Sequence, residues 1–213
     1  MLKFLAFTSL IVFSQPLFAQ QPHQLPFASA GNVLELTVAN TSAIVASNIT
    51  VEATNIPSWL NMTPASASFT EIKPNEELLA SFAFSIDKSA PVNSVQTLNF
   101  VITNSRGEQW TKEISISVKA PESFELFQNF PNPFNPATTI SYQLAQNVSV
   151  SLRIYDILGR EVTALVNAEQ PAGYHQEVWD ASRYSSGMYV YQMLLTDQHN
   201  KRQAFRKTML VVK

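Results

Sequence analysis

Chemistry would have to come from few residues. The chain has three histidines, no cysteine and five glycines among 213 residues. Catalysis requires titratable groups that converge. His23, His175 and His199 are far apart, and none has a second histidine at metal-ligand spacing. The acids nearest His175 are Glu169, Glu177 and Asp180. On an alternating strand His175 and Glu177 share a face, where a surface pair is the ordinary arrangement. No Gly-x-Ser-x-Gly elbow and no glycine-rich phosphate loop occur. Asp156 and Asp180 fall in turns without an Asp-x-Asp-x-Asp run, so they read as turn stabilisers, not calcium ligands. Without cysteine there is no thiolate nucleophile, disulfide or thiolate metal site. The expectation is no catalytic, cofactor-binding or metal residues, hence no enzyme. A small hydrolase would need a pocket with paired acids or a histidine within residues 25–119.

Binding has more candidates. Trp59 and Trp110 could offer flat rings to a carbohydrate, but packing in or against a core is the favoured reading for both. Lys201, Arg202, Arg206 and Lys207 form the one basic cluster, and a solvated hairpin accounts for it. Asn40, Asn48, Asn61 and Asn147 each open an Asn-x-Ser/Thr triplet, a motif short enough to arise by chance. The net charge of −2 gives no electrostatic case for nucleic acid.

The elements that must position these residues are strands. Residues 1–19 are set apart first: Lys3, an apolar run to Phe13, Pro16, then Leu17-Phe18-Ala19. That pattern is a secretory signal peptide, too short for a comfortable membrane span. Residues 20–30 read as a flexible lead-in. From there to 119 the pattern has period two: Leu34, Leu36 and Val38; Ile49, Val51 and Ala53; Leu98, Phe100 and Ile102; Ile114, Ile116 and Val118. Near Pro74, Asn75 could cap a helix, but Leu78, Ala80, Phe82, Phe84 and Ile86 fall on one parity and favour a strand. About seven short strands joined by turns point to an immunoglobulin-like sandwich lacking the Cys…Trp…Cys framework.

Residues 120–123 read as a linker. Beyond them lies Pro131-Asn132-Pro133-Phe134-Asn135-Pro136. Each proline fixes its own φ, removes a donor and biases the preceding residue to extended geometry, so the box is neither helix nor central strand. Phe134 is expected to plug a core. Strand patterns resume with Ile140, Tyr142 and Leu144, and again with Val148, Val150, Leu152 and Ile154. Turns are expected at Asp156–Arg160, around Gly173, before Gly187 and at 197–201. This predicts a second antiparallel sandwich over 124–213.

The box, Tyr155-Asp156-x-x-Gly159-Arg160, Trp179-Asp180, Gly187-x-Tyr189-x-Tyr191 and the closing Lys207…Lys213 occur in one order. Together they resemble the C-terminal sorting domain of the type IX secretion system, type A group, over about 90 residues. Ala145 stands where the family often has proline. The resemblance implies passage through the periplasm and across the outer membrane, recognition by the translocon, and cleavage by a sorting peptidase between Lys119 and Phe124. Release or attachment to surface lipopolysaccharide would follow. Flagellar hook-capping proteins share the box and the Tyr-Asp turn; the signal peptide and the C-terminal position favour sorting.

The sequence therefore predicts an all-β protein, with two immunoglobulin-like antiparallel sandwiches after a signal peptide. Residues 31–119 would be a non-catalytic cargo for binding, adhesion or structure at the cell surface, its ligand a carbohydrate or a protein. The alternatives are an accessory carbohydrate-binding module and a hook-capping-like protein.

Overall fold

The computed structural model describes residues 2–7 and 21–213. Most of the expected signal peptide, residues 8–19 with its cleavage point, lies outside the described residues. The chain divides into two compact units, Met1–Lys119 and Ala120–Lys213. Every element among the described residues is a strand.

Among the described residues unit 1 holds nine strands: β1 Leu2–Phe7, β2 His23–Leu25, β3 Asn32–Ala39, β4 Ala46–Thr54, β5 Leu60–Met62, β6 Ser66–Ile72, β7 Glu77–Ile86, β8 Val95–Thr103 and β9 Gln109–Val118. They form two sheets, ordered β1-β3-β7-β5 and β2-β9-β8-β4-β6. All pairings are antiparallel except β1 on β3 and β2 on β9. The alternation works as period two requires. Leu34, Leu36, Val38, Phe82, Phe100, Ile114 and Ile116 all point inward and are buried. Burying each such side chain is worth roughly 1.5–3 kcal/mol. At the centre, Phe82 and Phe100 meet with centroids 5.1 Å apart.

Two expectations are resolved here. The segment after Pro74 is strand, because a helix would turn one of its five in-register apolar residues after another to solvent. The stretch read as a flexible lead-in is instead pinned: His23–Leu25 pairs with Ile116–Val118, and Leu25 is buried. Two prolines within Gln20–Phe27 obscured a strand of only three residues.

Unit 2 holds β10 Glu125–Leu126, β11 Ala137–Leu144, β12 Val148–Asp156, β13 Glu161–Gln170, β14 Gly173–Asp180, β15 Gly187–Thr196 and β16 Arg202–Val211. One sheet is ordered β10-β11-β14, the other β13-β12-β15-β16. Their inner faces share a core that includes Ile140, Leu144, Leu152, Ile154 and Tyr191. The edge strand β13 meets β12 with two register shifts, at Leu152/Arg153 and Ile154/Tyr155. Such irregularities blunt an edge against further pairing.

Candidate sorting site

The proline box crosses from one sheet of unit 2 to the other. Residues before it run along the free side of β11: Phe127 N–H donates to Ser141 O, and Phe130 exchanges both backbone bonds with Thr139. Residues within it run along the free side of β16. Phe134 N–H donates to Leu210 O and Val212 N–H donates to Phe134 O, both at 3.0 Å. Leu210 N–H donates to the Asn132 side-chain oxygen at 2.9 Å, and the Gln128 amide donates to Thr208 O at 2.8 Å. The carbonyls of Thr208 and Leu210 and the amides of Leu210 and Val212 are thus satisfied by one short segment. Pro131, Pro133 and Pro136 carry no N–H, so the segment closes the β16 edge without offering a comparable edge of its own. Phe130–Pro131, Asn132–Pro133 and Asn135–Pro136 are cis. Pro136 O accepts from Ala181 N–H at 2.8 Å, and Asn135 separates the crossing from β11.

A buried polar knot holds the box from inside. Asn129 and Thr138 are each about 2% exposed. The Asn129 side-chain N–H donates to Pro131 O and to Thr138 Oγ1, and Thr138 Oγ1 donates to Pro131 O. Tyr191 completes the knot: its hydroxyl accepts from Asn129 N–H and donates to Phe127 O, each at 2.9 Å. Burial pushes the Tyr191 phenol up to about 12, despite the opposing Asn129 bond. It remains a neutral donor at physiological pH. No structural role for Gln128, Asn129 and Thr138 was legible in the sequence, because an isolated polar residue beside prolines carries no periodic signal.

Phe134 is buried, and its ring meets Trp179 edge-on. Trp179 also touches Tyr184 and Tyr189, whose hydroxyl donates to Ser185 O. The indole N–H of Trp179 is buried without a hydrogen-bond partner, so what this ring contributes is packing.

The Tyr155–Arg160 corner is built around one carboxylate. Asp156 Oδ1 accepts from the amides of Leu158 and Arg160, and Oδ2 accepts from Arg160 Nε at 2.7 Å. Partial desolvation would raise the Asp156 carboxyl, but the Arg160 guanidinium and these amides outweigh it and hold it below the usual carboxylate range. Gly159 has φ +78°, which a Cβ would disfavour. Tyr155 pairs with Val190 and Asp156 with Tyr189, so the corner stands at the end of the sheet where β15 begins. Gly187, at φ +147°, pairs with Val211 at the same end. Lys213 ties in by its amide to Ser186 Oγ and by Nζ to Ser182 O. Lys207 pairs in register with Tyr191 and is half-buried.

That end of the sheet is apolar on its outer side. Met188 and Leu210 are cross-strand neighbours, 57% and 40% exposed, and Val212 follows at 46%. Ile157 and Leu158 at the corner are both 72% exposed.

The remaining candidates fall elsewhere. Trp59 is buried in the unit 1 core and Trp110 packs half-buried against it, so neither ring is an open sugar platform. His175 stacks on Tyr142 and its Nε2 lies 2.9 Å from Pro171 O, which makes it structural. Asn40 is buried, and its side-chain N–H groups donate to Ile44 O and Ile72 O, an interior role that leaves no glycan acceptor. Among the described residues no group of three or more His, Cys, Asp or Glu is placed to hold a metal.

Comparison with known proteins bears on the box and the corner directly. Residues 128–208 match the family described as the secretion system C-terminal sorting domain. Residues 128–208 of unit 2 thus match the C-terminal sorting domain of the type IX secretion system. Sorting domains of this family serve transport and recognition, not catalysis, and act in secretion out of the cell. No curated protein matches the chain. Among solved structures, the chain is similar to dimeric latent PorU from Porphyromonas gingivalis, with TM-score 0.36 and 15% identity over 92% of this chain and 19% of that one. It is similar also to the E. coli chaperone DraB, with TM-score 0.31 and 11% identity over 89% of this chain and 95% of that one. A third is the secreted serine protease VesC from Vibrio cholerae, with TM-score 0.33 and 9% identity over 88% and 48%. The chain thus spans about a fifth of the length of PorU.

Proposed function

We propose that this chain is a small exported protein in three parts. Residues 1–19 are a leader for the inner membrane. Residues 31–119 are a non-catalytic, immunoglobulin-like cargo that works at the cell surface by binding or adhesion. Residues 124–213 are the sorting domain read by the type IX translocon, with a sorting peptidase cutting between Lys119 and Phe124 and the cargo then released or linked to lipopolysaccharide. The family match over residues 128–208 carries this reading. The two-sheet order of unit 1, with short β2 parallel to β9, supports the immunoglobulin-like assignment. The burial of Trp59 favours a protein ligand over a carbohydrate.

The surface that the translocon reads is the apolar end formed by Met188, Leu210 and Val212 with the Ile157-Leu158 corner. An exposed apolar group of this kind on a folded domain marks a binding face. The box builds this surface by holding β16 in place and stays out of the contact itself.

The test is export in the native host. Deleting residues 124–213 leaves the cargo in the periplasm, read by fractionation and mass spectrometry. Normal surface delivery of that truncation refutes the reading. Met188→Glu with Leu210→Glu lowers export while the purified protein keeps its thermal transition. Unchanged export of the double variant refutes the assigned surface.

A further inference from the structure

Among the described residues, β3 of unit 1 has one side whose sole strand neighbour is β1, within the leader. β3 pairs with β7 on one side and with β1 on the other, in parallel, from Leu2 opposite Leu34 to Phe7 opposite Ala39. Of the devices that close an edge, β3 carries one charge, Glu35, and no other. Asn32–Ala39 contains no proline and no lysine, and its register with β7 is unbroken over eight residues. The contrast is with β16, whose edge the proline box clasps, and with β13, whose register shifts.

Two features beside this edge describe what it takes. A cavity of about 520 Å³ lies within unit 1, walled by Leu25 of β2, Leu34 of β3, Leu60 and Met62 of β5, Phe84 of β7 and Ile116 of β9. It is an apolar space that extra side chains could fill. Gln24, Asn32 and Glu35 add polar groups to its wall, and Glu35 has one carboxylate oxygen, Oε2, buried with no hydrogen-bond partner. A buried acceptor left unmatched is destabilising, and more so when charged. The register partner of Glu35 in the leader strand is Lys3.

We propose that, once the leader is removed, the β3 edge of the cargo receives an extended strand from a partner protein. That strand runs parallel to β3, with apolar side chains opposite Leu34 and Leu36 and a lysine or arginine opposite Glu35. Main-chain bonds along the edge supply affinity, while the alternating side chains and the Glu35 pair supply specificity. A second copy of the chain does not fit. Two β3 edges meeting about a two-fold axis would be antiparallel, and Glu35 is the one charged residue in Asn32–Ala39, so no cation would face it. The proposal rests on leader removal as given above.

The test uses the processed chain, residues 20–213, and a soluble, fluorescein-labelled peptide carrying the sequence Leu2-Lys3-Phe4-Leu5-Ala6-Phe7. Anisotropy shows saturable binding, and amide exchange of Asn32–Ala39 slows in the complex. Lys3→Glu in the peptide weakens binding about tenfold, and Glu35→Lys in the protein restores it. Absence of saturable binding overturns the proposal, as does equal binding of both peptides to both proteins. So does a concentration-dependent dimer of the processed chain that Glu35→Lys leaves intact. The mass of the exported protein separates the two readings. An intact leader defeats leader removal, and with it the open edge. A processed chain that ignores the peptide defeats this proposal alone.

Discussion

The ring of Phe134 meets the ring of Trp179 edge-on, with centroids 5.6 Å apart and planes at 61°. This contact joins the proline box to the sorting-domain core, while the backbone of the same residue bonds to both sides of Val211 on β16. Phe134 is thus a core side chain on an edge-closing backbone. Phe134→Ala should cost about 3–5 kcal/mol, read as a fall in the urea midpoint of unit 2. Phe134→Leu should cost less, since it keeps much of the volume. Equal midpoints for wild type and the alanine variant would show that the box is not anchored through this ring.

Tyr191→Phe keeps the ring and removes one oxygen. The Asn129 amide and the Phe127 carbonyl then lose a shared partner inside the polar knot. The expected loss is about 1–3 kcal/mol, with faster amide exchange at Asn129. A variant as stable as the parent would mean that water replaces the hydroxyl.

At Gly187 the backbone conformation alone sets the cost. No atom lies within 4 Å of where a Cβ would stand, yet φ is +147°. Gly187→Ala and Gly187→Val should therefore both destabilise unit 2, by about 1–3 kcal/mol, with little added by the larger side chain. A large gap between the two would point to crowding instead.

Acid should weaken the Tyr155–Arg160 corner. The Asp156 carboxyl sits below its usual range in the folded chain, opposed by desolvation and carried by the Arg160 and backbone bonds. A lowered folded pKa adds stability that is complete above the unfolded value, near 4, and is lost as pH falls through the folded value. Asp156→Asn should therefore flatten the fall in urea midpoint between neutral and strongly acidic pH. Identical slopes for the variant and wild type would exclude the effect.

Much of this was legible in the chain. Period-two alternation around Leu34, Phe82, Phe100 and Ile154 marks half-buried strands, because the pleat itself has period two. The turns at Gly159 and Gly187 were legible because positive φ selects glycine. His23–Leu25 was missed: three residues between prolines are too few to show a period, and only β9 makes them a strand. Trp59 and Trp110 were read as packing in or against a core, and they do; what packs opposite each ring was not legible, since that depends on distant strands.

By itself, then, the sequence determined the all-β class and the buried parity of the longer strands, because each follows from neighbours a few positions away. Only the tertiary structure decided that the box spans two sheets, clasps β16 through Asn132 and Phe134, and closes on a knot centred on Tyr191. Those partners lie about 60 to 80 residues apart, and local pattern carries no information about which distant strand an irregular segment will meet. The same holds for β3, whose second neighbour in its sheet is β1, near the start of the chain.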